Sequence, residues 1–151
     1  MRQKHMADNS TLYNTEKLHT DFDFWFSHRV SYGETDSMGV LYYAEYLHIF
    51  ERARSQLLRD KGMSYAEVEK RGIILPVREA RCRYRKPFRY DDLIRINAGI
   101  TQWGRASLTF RYLLWNEAQD TLMAEGMTQH AFVDRTGRPV AVPEWLKNLY
   151  C

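Results

Sequence analysis

The residue offering the most chemistry in this chain is an aspartate in a turn-rich stretch. In YGETDSMGVLYY (residues 32–43), Asp36 and Glu34 stand between an aromatic, β-branched segment and a long amphipathic one. A carboxylate at a strand-to-helix junction can serve as nucleophile or general base, while unpaired N–H groups at the helix start can polarise a carbonyl oxygen. The same placement suits a helix cap, the commoner role for an Asp before a helix. Glu34 reads as a solvated turn residue.

Other chemistries find no footing. The nucleophilic-serine elbow GxSxG, the phosphate loop GxxxxGK followed by Ser or Thr, and the dinucleotide fingerprint GxGxxG are all missing from the chain. His5, His19, His28, His48 and His130 show none of the close His or Cys pairings of zinc sites, so no metal is expected and each reads as a surface or core histidine. Cys82 and Cys151 lie far apart, which argues against a disulfide framework or a CxxC redox site and suits a reducing compartment.

The elements that must position Asp36 follow from periodicity. Residues 22–32 partly alternate and read as a first strand, broken at Gly33. Beyond the turn, Tyr43, Tyr46, Leu47, Phe50, Ala53, Arg54, Leu57 and Leu58 recur at three- and four-residue steps, predicting an amphipathic helix of about five turns that stops at Gly62. Ser64 caps a shorter helix, with Glu67 at the capping-box position. Four strand-like runs follow, over residues 74–84, 93–100, 107–114 and 121–133. Short connections between consecutive strands imply antiparallel pairing. The expected fold is therefore α+β: a five-stranded antiparallel sheet curved around one long central helix, with an uncovered edge or face left for self-association.

The 151 residues fit one domain, and 44% hydrophobic residues exclude disorder. Residues 1–21 are polar and lack sustained period, so they read as a flexible N-terminal extension ahead of a domain at 22–151. There is no apolar run long enough for a membrane span and no secretory signal, which places the protein in the cytoplasm as an expectation. A formal charge of +3 is too small to argue for nucleic acid, yet compatible with an anionic small substrate.

Several segments then converge. YGETDSMGVLYYAEYLHIFERAR, followed at intervals by RCRYRKPFRYDDLIRI, WGRASLTF and VDRTGRPVAVPEWL, closely resembles the 4-hydroxybenzoyl-CoA thioesterase-like branch of the hotdog-fold acyl-CoA thioesterases, in order across residues 24–146. The resemblance implies hydrolysis of an acyl-CoA to free acid and CoA, with no cofactor beyond the coenzyme A of the substrate. Asp36 matches the family's essential aspartate, as nucleophile or general base. Tyr43 matches the position whose backbone amide holds the thioester oxygen, where many relatives carry His. Glu45 replaces the common Asn of the YxANY element.

Arg105 and Arg138 match basic positions that contact the nucleotide phosphates, with Ser107 beside Arg105 in the same substrate-binding loop. Each arginine reads equally well as a solvated loop charge. The resemblance further implies two-fold dimers or tetramers with active sites between subunits, and leaves acyl-carrier-protein substrates open. Arg78, Arg81, Arg83, Arg85 and Lys86 read as a charged strand face, Glu51, Arg52 and Arg54 as a helix-surface or interface ion-pair network, and Trp25, Trp103 and Trp115 as core or dimer aromatics. Two alternatives remain: a non-catalytic acyl-thioester-binding protein of the same fold, and a hotdog dehydratase, which would need a His near the helix start.

Overall fold

The computed structural model describes residues 22–151; the expected extension at 1–21 lies outside the described residues. The elements run β1 (Trp25–Arg29), a single 3-10 turn (Tyr32–Glu34), α1 (Glu45–Asp60), α2 (Tyr65–Lys70), β2 (Val77–Tyr84), β3 (Leu93–Trp103), β4 (Ser107–Trp115), β5 (Leu122–Ala131) and α3 (Glu144–Tyr150). The strands form one sheet in the order β1-β3-β4-β5-β2, and every neighbouring pair is antiparallel. β1 and β2 are therefore its edges.

α1 lies on one face of this sheet because its apolar stripe has nowhere else to go. Tyr46, Ile49, Phe50, Ala53, Leu57 and Leu58 are buried, and Phe50 stacks flat on Tyr112 of β4 with ring centroids 4.3 Å apart. The helix can come this close because β5 carries Gly126 beneath it. A Cβ at that position would run into the Phe50 ring and the Arg81 carbonyl, so the absence of a side chain sets the packing distance. Leu47 shares the three- and four-residue pattern but is 43% exposed and falls off the stripe. The helix ends as expected, with Gly62 in a left-handed conformation (φ 93°) after Lys61. Ser64 caps α2, its hydroxyl accepting from the Glu67 N–H at 3.2 Å.

This is the hotdog fold, with α1 held in the curve of the sheet. Several details differ from the periodicity, among them β2, which begins at Val77 rather than at residue 74. β1 is shorter than expected, since the chain turns into the 3-10 segment by Tyr32. β3 extends through Trp103, past a register shift after Ile100. The chain also ends in α3, whose Tyr150 ring packs on Trp103 and Phe110; seven residues give too little period to register in the sequence. No helix among the described residues is long and apolar enough to cross a membrane.

Candidate active site

Asp36 does not cap α1, because the helix begins nine residues later, at Glu45. It sits in a tight turn of its own making. The Gly39 N–H donates to the Asp36 carbonyl at 3.0 Å and the Asp36 N–H to the Val40 carbonyl at 2.9 Å. Gly39 takes φ 76°, a conformation that glycine adopts without strain. Inside this loop the Asp36 side chain folds back on its own backbone, Oδ1 accepting from the Met38 N–H at 2.9 Å and the Val40 N–H at 3.3 Å. Both bonds end on Oδ1, so the carboxylate is fixed in orientation while Oδ2 is left for other chemistry. An antiparallel bridge between Thr35 and Leu41 closes the loop, and one between Val40 and Arg89 ties it to the segment before β3.

Asp36 opens onto a cleft of about 260 Å³ that it shares with Val40, Leu41, Tyr43, Tyr46, Tyr84, Arg85, Lys86 and Pro87. Tyr43 and Asp36 are thus brought together. The Tyr42 N–H donates to the Glu34 carbonyl at 2.8 Å, and the Tyr42 carbonyl accepts from the Glu45 N–H at 3.0 Å. Among the described residues nothing accepts from the Tyr43 N–H. An unpaired amide just before the first turn of a 16-residue helix sits at the positive end of the helix dipole, in the position of an oxyanion donor. The Tyr43 side chain is 63% exposed. Its carbonyl accepts from the Tyr84 hydroxyl at 2.9 Å.

Glu34 is not the solvated residue expected from its turn. Its Oε1 accepts from the Ser31 N–H (2.7 Å) and the Ser31 hydroxyl (2.9 Å), and both oxygens lie 2.9 Å from His28 Nε2. Arg52 of α1 approaches the other ring nitrogen, Nδ1, at 3.2 Å. Arginine can only donate, so Nδ1 accepts and the Nε2 proton points at Glu34. Burial would raise the Glu34 carboxyl, but the Ser31 amide, His28 and the Ser31 hydroxyl outweigh it and hold the group below its ordinary value. Glu34 thus joins the chain entering the turn to α1, and none of its oxygens is spare.

The cations divide differently from the expected charged strand face. Arg85 and Lys86 line the Asp36 cleft, and Arg85 Nη2 donates at 3.1 Å to Glu125, a fully buried carboxylate on β5. Arg105, Ser107 and Arg138 lie elsewhere. Tyr84, at the cleft, pairs with Ala124 and Ala124 with Leu114, whereas Ser107 pairs with Ala131 at the far end of the same strands. Along β4 that is about 24 Å at the antiparallel rise. Arg105 and Arg138 are exposed; the Val142 N–H donates to the Arg105 carbonyl (2.8 Å), and the Arg138 carbonyl accepts from the Asp134 N–H (2.9 Å). A single protomer does not bring these residues to Asp36.

His130 belongs to a separate buried chain. Its Nδ1 lies 3.1 Å from the Leu75 carbonyl, its Nε2 2.9 Å from the Thr128 hydroxyl, and that hydroxyl 2.7 Å from Tyr112 Oη. Burial pushes the imidazole down to about 4. No group of three or more His, Cys, Asp or Glu among the described residues is placed to hold a metal ion.

Comparison with known proteins agrees with this architecture. A "Putative esterase" of Aquifex aeolicus is 32% identical over 121 residues, 80% of this chain and 92% of its own length. "Acyl-CoA thioester hydrolase YbgC" of Escherichia coli is 34% identical over 117 residues, covering 77% of this chain and 87% of its own. The crystal structure of a DHNA-CoA thioesterase from Staphylococcus aureus superposes with a TM-score of 0.77 at 30% identity, over 83% of this chain and 87% of that one. The family model of the thioesterase-like superfamily matches residues 30–149, from the end of β1 into α3, and the chain belongs to that superfamily.

Proposed function

We propose that this protein is an acyl-CoA thioester hydrolase in which Asp36 supplies the reacting carboxylate and the Tyr43 N–H the oxyanion donor. The observation carrying this reading is their common cleft: a carboxylate pinned through one oxygen lines the same cavity as Tyr43, whose amide before α1 is unpaired. Asp36 Oδ2 attacks the thioester carbonyl, or draws a proton from a water that does. The developing oxyanion receives the Tyr43 N–H, reinforced by the dipole of α1, and collapse expels CoA as its thiolate. On the nucleophilic route a water then cleaves the resulting Asp36–acyl anhydride to free acid and Asp36 carboxylate, and on either route the proton given up by the water goes to the thiolate. The balance is thioester plus water to carboxylic acid plus thiol, so the reaction calls for no group beyond the coenzyme A of the substrate.

Lys86, beside an Arg85 that is already paired with Glu125, brings a positive charge to the mouth of the cleft that suits an anionic substrate. Arg105, Ser107 and Arg138 enter through assembly. β2 is an open edge, and a two-fold pairing of β2 with its copy would run the strands antiparallel, setting the Ser107 end of one sheet beside the Tyr84 end of the other. In that dimer the phosphates of the CoA would meet the two arginines of the partner, whose planar forks match phosphate oxygens.

The test is release of free thiol from a panel of aromatic, short-chain and medium-chain acyl-CoAs. Turnover of at least one at an ordinary enzymatic rate, on the order of 1 per second or faster, is the expected result. Tight binding across the panel with no thiol released would replace the hydrolase with a non-catalytic acyl-thioester-binding protein.

A further inference from the structure

We propose that Tyr84 is a positioning residue for this hydrolysis, its hydroxyl holding the backbone that presents the oxyanion-donating amide of Tyr43. The inference rests on the roles given above to Asp36 and the Tyr43 N–H.

Two consecutive peptide groups define this corner. The Tyr42–Tyr43 peptide carries the donor N–H, and its carbonyl is held by the Glu45 N–H at 3.0 Å. The next peptide, between Tyr43 and Ala44, precedes α1, and the Tyr84 hydroxyl on β2 holds its carbonyl at 2.9 Å. Because the peptide unit is planar, a fixed carbonyl fixes the N–H on its opposite side. The Glu45 bond thus sets the direction of the Tyr43 N–H, and the Tyr84 bond anchors the main chain of Tyr43 from its other side. Without the Tyr84 bond the Tyr43 main chain loses its tie to β2 at a cleft open to water, and a shift of this backbone carries the donor N–H away from where the oxyanion forms.

The rest of Tyr84 is built to deliver that hydroxyl. Its ring stands edge-on against Tyr46, centroids 4.7 Å apart at 87°, and Tyr46 is itself buried and packed against Phe88. One ring contact with the first turn of α1 and one hydroxyl contact with Tyr43, two residues ahead of the helix, join β2 to the helix start across 41 residues of sequence. Tyr84 is nonetheless 47% exposed, so its hydroxyl could reach water as easily as Tyr43.

Tyr84→Phe keeps the ring on Tyr46 and deletes only the hydroxyl. Misplacing a catalytic group by about 1 Å can cost a hundredfold, so kcat should fall roughly ten- to a hundredfold. KM should stay within about twofold, as should the dissociation constant of a non-hydrolysable thioether acyl-CoA. Tyr112→Phe, which removes a buried hydroxyl away from the cleft, should lower thermal stability and leave kcat in place; this separates positioning from general loss of structure. If Tyr84→Phe does not fold, Tyr84→Leu serves, and must lose at least as much kcat. A Tyr84 variant with wild-type kcat, or one that raises KM alone, overturns the inference. If that happens while Asp36→Asn is inactive, the hydrolase reading stands without it; if Asp36→Asn is also fully active, that reading falls as well.

Discussion

Glu34→Gln separates two carboxylates that lie two residues apart and have opposite expected roles. In the wild type Glu34 takes two bonds from Ser31 and one bifurcated bond from the Nε2–H of His28, whose far nitrogen already accepts from Arg52. A glutamine can keep its oxygen toward Ser31, but its NH2 then meets the Nε2 proton of His28, donor against donor. His28 can relieve this only by moving its proton to Nδ1, which sets that proton against Arg52. One charge-assisted bond is lost on either path and a second is weakened, at a cost of about 2 kcal/mol for a side chain only 16% exposed. For 151 residues that lowers Tm by about 4–8 °C.

The effect also depends on pH. The Glu34 carboxyl titrates below its ordinary value in the folded state, so its stabilisation is complete above the unfolded pKa of about 4.5 and is lost as the pH falls below it. The gap between wild type and Glu34→Gln should be largest at neutral pH and narrow in acid. Differential scanning fluorimetry from pH 7 to pH 3.5, with thioester turnover measured on the same preparations, provides the assay. The expected result is a lower Tm with kcat within a few-fold of wild type. An unchanged Tm together with a hundredfold loss of kcat would refute the reasoning and move the reacting carboxylate to Glu34.

Three further outcomes follow from the same geometry. Tyr43→Phe should leave kcat within about twofold, because the proposed mechanism uses its main-chain N–H alone; a loss of a hundredfold or more, the scale of a general acid-base contribution, would assign the work to the hydroxyl. Arg105→Ala and Arg138→Ala should each raise KM for acyl-CoA several-fold at nearly constant kcat, with the effect shrinking as salt screens the charges; an unchanged KM would detach them from the phosphates. His130 is buried and neutral with its value near 4, whereas the unfolded chain takes up that proton near pH 6.5. Unfolding therefore gains a proton between those limits, and up to roughly 3 kcal/mol of stability is lost as the pH falls from 6.5 to 4. Urea midpoints should drop across this window in wild type and drop less in His130→Asn; parallel slopes would contradict it.

The architecture was legible where a local period coincided with burial. Tyr46, Phe50, Ala53 and Leu57 line one stripe of α1, Gly62 ends it, and alternation in β3 and β4 sorts Ile94, Ile96, Leu108 and Phe110 inward. Leu47 carries the same period yet is exposed, next to the buried Tyr46 and Ile49. Asp36 was legible as a carboxylate at a junction, but its service to its own turn was not, since a helix cap and a self-closing loop call for the same residue types.

What escaped the sequence is tertiary. Glu34 looks solvated until Arg52, from a later element, orients His28 against it. Arg85 and Lys86 look like strand charges until the sheet folds them beside Asp36, and Tyr84 reaches Tyr43 only across the same fold. The separation of Arg105 and Arg138 from Asp36 likewise required the register of β4 and β5.

The central claim is that the Asp36 carboxylate performs the hydrolysis, and steady-state thiol release by Asp36→Asn on the best acyl-CoA of the wild type tests it most directly. Asparagine retains an oxygen to accept from Met38 and Val40, so the turn and Tm should persist while kcat falls by a hundredfold or more. A correctly folded Asp36→Asn enzyme that turns over at the wild-type rate would contradict it.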